Sequence, residues 1–160
     1  MLIRPYVPDD WPRLCEIHDA ARRQELQATG FLESYRTLAQ TAGDEDLLDS
    51  ELLLVAEEGG SVQGFIACSE GAITWLYVDP RQQRRGIARQ LVRAALRACP
   101  APLALVVLIG NEAALALYLS EGFRQLECAD VKVAGYESVR ASAYVLRHDG
   151  AAEPPRDADR

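Results

Sequence analysis

Between Trp75 and Arg97 the chain reads Trp-Leu-Tyr-Val-Asp-Pro-Arg-Gln-Gln-Arg-Arg-Gly-Ile-Ala-Arg-Gln-Leu-Val-Arg-Ala-Ala-Leu-Arg, a strand, a loop and a helix in that order. Trp75 to Val78 is apolar, aromatic and β-branched, as a half-buried strand prefers. Asp79-Pro80 ends it, because proline supplies no ladder donor. From Ile87 the apolar residues Ile87, Leu91, Val92, Ala95 and Ala98 fall at helical spacing, while Arg85, Arg89, Arg93 and Arg97 recur every four residues on another face. The remainder of the chain is organised around this unit.

In the loop, Gln83-Arg84-Arg85-Gly86-Ile87-Ala88, the small residues Gly86 and Ala88 leave main-chain amides uncovered where the helix begins. The first four amides of a helix lack internal partners and sit at the positive end of its dipole, so the junction suits a diphosphate. From Arg81 to Arg97 there are six arginines and no acid, a local charge of +6 within a chain of net charge −7, leaving −13 on the rest. A polyanion is the expected guest, although an arginine stripe by itself also reads as a solvated helix face.

Gln83-x-x-Gly86-x-Ala88, preceded by Leu76-Tyr77-Val78-Asp79-Pro80, resembles the acyl-CoA-binding motif of the GNAT N-acetyltransferase superfamily. Downstream, Asn111-x-x-Ala114-x-x-x-Tyr118-x-x-x-Gly122-Phe123 is similar to that family's next motif and follows in the expected order. The resemblance implies an α/β (α+β) fold: a mixed, mostly antiparallel twisted sheet of six to seven strands, about four flanking helices, and two splayed parallel central strands. It also implies acetyl-CoA as acyl donor and an amine as acceptor. The residues it assigns to the donor are the main chain of Leu76, Tyr77 and Val78 for pantetheine, the motif residue Gln83, the amides of Arg84, Arg85, Gly86, Ile87, Ala88 and Arg89 for the pyrophosphate, and Asn111 to orient the cofactor or a site water, with the thioester near Val78 and Tyr118.

A chain of 160 residues with 49% hydrophobic content fits one domain with a sizeable core, expected over residues 1–148, with a disordered tail over 149–160. No apolar run is longer than the seven residues of Leu103 to Ile109, which is too short to span a bilayer, and the amino terminus lacks a signal-peptide core. A cytoplasmic protein without membrane attachment is expected. The acidic balance argues against general nucleic-acid binding, and a homodimer is allowed. Cys15, Cys68, Cys99 and Cys128 are scattered without metal-ligand spacing to either His18 or His148, so no metal site is expected and the cysteines read as small core residues.

In chain order, Leu2 to Arg4 reads as a strand, and a helix follows from Pro12 with Trp11, Leu14, Cys15 and His18 on one face and Glu16, Arg22 and Arg23 on the polar side. Gln24 to Gln40, broken by Gly30, reads as a loop and a second helix. The family uses this region over the acceptor, which makes Glu25, Glu33 and Tyr35 candidate contacts. Asp44-Glu45-Asp46 with Asp49 and Glu51 is an acidic loop able to attract an amine. Leu52 to Ala56, Val62 to Cys68 and Ala72 to Val78 make three antiparallel strands turned at Gly59-Gly60 and Gly71. Leu103 to Ile109 reads as a strand buried on both faces. Asn111 caps a helix that Gly122 stops. Phe123 begins a strand, Val131 to Val133 and Ser142 to Leu146 complete the sheet, and Gly135-Tyr136-Glu137 reads as a loop over the site.

The resemblance implies transfer by direct attack of a primary amine, of a small molecule or a peptide, with Tyr118 protonating the leaving thiolate. The chain departs from the family at the general base. Carboxylates that members carry at the start of the fourth strand or on the fifth would fall near Ala72 and Val106, and neither can accept a proton. Glu70, just before the strand, is the catalytic substitute expected here, with His18, Glu33 or a water relay behind it. The alternative function is a non-catalytic acyl-CoA sensor or regulatory subunit, which would keep the phosphate loop without the acid and base.

Overall fold

The computed structural model describes residues 1–41, 46–133 and 136–150. Strand β1 (Leu2–Pro5) leads into α1 (Trp11–Thr29), a one-turn α2 (Leu38–Thr41), then β2 (Leu52–Glu58), β3 (Ser61–Ser69) and β4 (Ala72–Val78). There follow α3 (Ile87–Ala98), β5 (Leu103–Leu108), α4 (Glu112–Ser120), β6 (Arg124–Val133) and β7 (Tyr136–His148). The seven strands form one sheet in the order β1-β2-β3-β4-β5-β7-β6. Every pairing is antiparallel except β4 with β5, whose parallel run needs a crossover, and α3 provides it.

Two layers of helix cover the sheet. Leu91, Val92 and Ala95 of α3 pack with Ile66, Ile73, Leu105, Val107 and Tyr118 on one face. Leu14 and Ile17 of α1 pack with Leu38, Val55, Phe65, Ala67 and Trp75 on the other. A third cluster, Leu26, Leu108, Val133, Ala141 and Ala143, closes the far end.

One irregularity shapes the centre. The β3/β4 register passes from Ala67↔Trp75 to Cys68↔Ile73, so Thr74 is an extra residue on β4. A bulge exchanges the faces on either side of it, because strand side chains alternate with a period of two. Ile73 therefore packs under α3 and α4, whereas Trp75 and Tyr77, of the same parity, turn to α1. A bulge also bends and twists its strand, and β4 leaves β5 at this point.

Several expectations are corrected. Helix α1 runs through Gln24 to Thr29 and ends at Gly30 with φ 85°, because Leu26 is buried and holds the last turns against the core. The second helix is one turn only. Val106 on β5 is 53% exposed, since it stands on the strand that faces the opening rather than on a sealed layer. Cys68 is buried, but Cys128 is exposed on the edge strand β6 and is no core residue. Tyr136 begins β7, while Gly135 of the expected loop, Asp44 and Glu45 of the acidic loop, and the tail 151–160 lie outside the described residues.

Candidate active site

Strands β4 and β5 share a single registered pair, Ala72↔Ala104, fastened by the Ala104 N–H donating to the Gly71 carbonyl at 2.9 Å. Beyond it they diverge around a cavity of ≈ 370 Å³. Trp75, Leu76 and Tyr77 of β4, Val106 of β5, Asn111, Ala114 and Tyr118 of the α4 region, and His18, Arg22 and Glu25 of α1 all border it. Past Ala72 the β4 main chain has no strand partner on the β5 side, so its amides and carbonyls are open to an extended ligand.

The exit of β4 is fixed by Asp79, which is 4% exposed, ion-paired to Arg13 and accepting the Arg81 N–H at 2.9 Å. Burial pushes this carboxyl up, but Arg13 and the Arg81 amide outweigh it and hold it below the usual range. The chain then turns through Arg84 (φ 65°) and Gly86 (φ 81°), both left-handed. Alternating turns of this kind build main-chain concavities that bind anions. Gly86 is the N-cap of α3 and has no side-chain cap. The first bond inside the helix is from the Gln90 N–H to the Gly86 carbonyl at 3.1 Å, so the amides of Ile87, Ala88 and Arg89 have no partner within it. A Cβ on Gly86 would meet nothing within 4 Å, which leaves this end open to close approach.

The side chains assigned to the donor divide into two kinds. Val78 and Ile87 are buried and Leu76 packs on the α3/α4 layer, so what they offer a ligand is main chain. Gln83 is exposed and donates to Gln24 of α1 at 3.0 Å. Arg85 is held by Gln82 and by Glu58 at 2.9 Å, and Arg89 by Glu121 at 2.8 Å. Arg84 makes no ion pair among the described residues. These features fit a phosphate-bearing cosubstrate, with the free amides and Arg84 available at once and Arg85 and Arg89 available by exchange from carboxylates.

On α4, Asn111 is the N-cap, its Oδ1 accepting the Ala114 N–H at 3.3 Å, which leaves its amide nitrogen for a ligand. Tyr118 is 6% exposed, with its ring edge-on to Phe123 at 5.4 Å. Burial, with Glu25 second, pushes the phenol well above its ordinary value, so it keeps its proton at neutral pH.

The candidate bases are separated by the fold. Glu70 lies in the β3/β4 turn with φ 51°, exposed, its N–H donating to Glu51 at 3.1 Å, and it does not border the cavity. The reason is topological: it precedes the paired end of β4, whereas the opening follows Ala72. Glu33 is exposed on a separate depression beside Phe31, and Tyr35 packs under Arg23, whose guanidinium lies 4.7 Å from its ring centroid. Glu25 borders the cavity, held by Arg22 at 3.0 Å. His18 borders it too, with Nδ1 2.9 Å from Asp19 Oδ1. Arg22, placed on the polar side by the sequence pattern, turns out to share the cavity face of α1 with His18 and Glu25, at offsets of four and seven residues. Arg36 and Lys132, from the segment before α2 and from β6, are further walls that no sequence signal singled out.

The sequence of residues 11–123 matches the family model described as "Acetyltransferase (GNAT) family". The chain is 35% identical over 140 residues to N-alpha-acetyltransferase RimI of Mycobacterium tuberculosis, an alignment covering 82% of this chain and 87% of that protein. It is 34% identical over 76 residues to peptidyl-lysine N-acetyltransferase YiaC of Escherichia coli, covering 47% and 51%. Its fold matches that of yncA from Salmonella typhimurium, a putative acetyltransferase solved with acetyl-CoA, at TM-score 0.65 and 20% identity over 99% of this chain and 98% of that one. Splayed parallel strands, a glycine-capped helix after the first of them and a tyrosine-bearing helix after the second thus carry the family's sequence signature, and the chain belongs to the GNAT family of acetyl-CoA-dependent acetyltransferases.

Proposed function

We propose that this enzyme acetylates a primary amine of a peptide, the α-amino group at a chain terminus foremost, by direct attack of the amine on acetyl-CoA in a ternary complex. The observation that carries the reading is the single cavity bordered both by Tyr118 of α4 and by the His18, Arg22 and Glu25 face of α1, between strands joined by one registered pair. Pantetheine would lie along the open edge of β4 at Leu76 to Val78, and the pyrophosphate on the amides of Arg84 to Arg89. Open amides of β4 can receive the developing oxyanion. Tyr118 supplies the proton to the departing sulfur. Burial makes its phenol a weak acid at rest, and the positive nitrogen created by attack lowers its pKa when the proton is needed.

Glu25, a carboxylate at the cavity wall, suits a cationic amine. The α-amine is favoured over lysine by its acidity: an α-amino group titrates at about 7.7–8.0 and a lysine at about 10.4, so the former is far more often neutral at pH 7. A cavity without a carboxylate at Ala72 or Val106 gains from that difference. The 35% identity to an N-alpha-acetyltransferase supports the same acceptor class.

The test is a pair of peptides of one sequence, one with a free terminus and no lysine, the other terminally blocked with one internal lysine. Thiol release and the site of acetylation are followed together. The α-amine should be modified at least about 10-fold faster, in keeping with the difference in neutral amine. Preference for the lysine peptide would overturn the acceptor class.

A further inference from the structure

We infer that His18, oriented by Asp19, is the general base that takes the proton from the acceptor amine. This rests on the amine acetylation proposed above and adds the group that the chain's missing carboxylates leave unassigned. His18 is only 2% exposed, yet it is part of the cavity wall. Its ring stands 4.8 Å from that of Tyr77, edge-on, and 5.6 Å from that of Trp75, so packing fixes its plane. The Thr74 bulge is what brings both aromatics to this side of the sheet.

The second coordinate of the ring, its tautomer, is fixed by Asp19. Nδ1 lies 2.9 Å from Asp19 Oδ1, and the same oxygen accepts the Leu38 N–H at 2.8 Å, which ties the carboxylate to the start of α2. A carboxylate accepts and does not donate, so Nδ1 carries the hydrogen and Nε2 the lone pair. No hydrogen bond reaches Nε2 among the described residues. The charged and titratable groups around the ring are Asp19, Arg22 and Glu25 on α1 itself, Tyr77 on β4, and Tyr118, Arg36 and Lys132 around the cavity. Burial pushes the imidazole below its ordinary value, Asp19 and Glu25 draw it back in part, and Arg22 adds to the depression. His18 is therefore neutral at pH 7 and ready to accept a proton.

The step balances as follows. Nε2 takes one proton from the ammonium, freeing its electron pair. That pair forms the C–N bond to the thioester carbonyl carbon, the C–S bond breaks, and the pair in it leaves on sulfur. Sulfur takes the Tyr118 proton, the second nitrogen proton returns to the Tyr118 phenolate, and His18 sheds its proton to solvent after the products depart.

His18→Asn should lower the acceptor-saturated rate at pH 7 by about 10²-fold or more, the ordinary worth of general base catalysis, while acetyl-CoA affinity stays at the wild-type value. The deficit should shrink as pH rises through about 8, where an α-amine loses its own proton without help. A wild-type rate in this variant, or a deficit of the same size at every pH, overturns the assignment, the latter because a merely structural loss does not follow the amine's titration. A second measurement needs no variant: ¹⁵N resonances of the wild-type imidazoles should place His18 in the neutral Nδ1–H form at pH 7, and an Nε2–H or charged ring overturns the inference. If the wild type modifies only lysine, the acceptor class fails alone, and the same comparison run against the lysine amine, near pH 10.4, decides the base.

Discussion

The two sides of the β4/β5 cleft are built by different means. The proposed donor side is main chain: an unpaired strand edge, two left-handed turns and three amides of α3 without a helical partner. The proposed acceptor side is side chain: His18, Arg22 and Glu25 from α1, Tyr77 from β4, Tyr118 from α4 and Lys132 from β6. A backbone cradle depends on φ angles and local spacing, so it leaves a contiguous signature in the sequence. A wall gathered from four elements leaves none, and each of its residues can be exchanged singly.

If that contrast holds, donor binding should collapse when one backbone position is altered. Gly86→Glu puts a carboxylate beside the proposed diphosphate site at a left-handed residue. One unit charge within about 4 Å is worth about 4 kcal/mol near a protein surface, so acetyl-CoA affinity measured by calorimetry should fall at least about 10³-fold with the fold retained. Gly86→Ala separates the two causes, because a Cβ there meets nothing within 4 Å and only the conformational cost remains, about 1–2 kcal/mol. An unchanged affinity in the glutamate variant would remove the diphosphate from this loop.

On the acceptor side a single hydroxyl should matter to turnover and not to donor binding. Tyr118→Phe keeps the ring packed on Phe123 and removes the proposed proton donor. Single-turnover transfer should slow by about 10²-fold, the lower end of general acid catalysis, because burial makes this phenol a weak acid. Acetyl-CoA affinity should be unmoved. A wild-type chemical step would reduce Tyr118 to packing.

Smaller effects sharpen the comparison. Changing Arg84, Arg85 and Arg89 together to glutamine should weaken acetyl-CoA binding by about 3- to 10-fold and flatten its salt dependence, exposed pairs being worth 0.2–1 kcal/mol each. Most of that should belong to Arg84, since Arg85 and Arg89 already have carboxylate partners to give up. Glu70→Gln should change kcat by less than about 2-fold, its side chain lying outside the cavity; a loss near that of His18→Asn would return the base to the β3/β4 turn.

The limits of the sequence follow the same division. Both ends of Ala72–Val78 and the start of Ile87–Ala98 are legible to the residue, because a proline stop, a glycine cap and strong periodicity act within a few positions. Strand β6 was expected only in part. Arg124 to Cys128 are all exposed on the sheet edge, so no apolar alternation marks them. Thr74 has the composition of an ordinary strand residue, and only its pairing with β3 reveals the extra step that sends Trp75 to α1. Glu25 is a candidate contact from the sequence, and Arg22 is within reach of it: carrying the helix to Gly30 places both on the turns after His18. Glu70 is close to the site only along the chain, whereas distance from the opening is set by where β4 and β5 cease to pair.

The proposed direct attack in a ternary complex is tested by intact-protein mass spectrometry. The enzyme is held with acetyl-CoA alone, then given a peptide with a free α-amine, while protein mass, peptide mass and released thiol are followed. Direct attack predicts a protein mass that never changes and one acetyl group on the peptide for each thiol released. Acetylated protein that forms before the peptide is added and then passes its acetyl group to it would contradict direct attack.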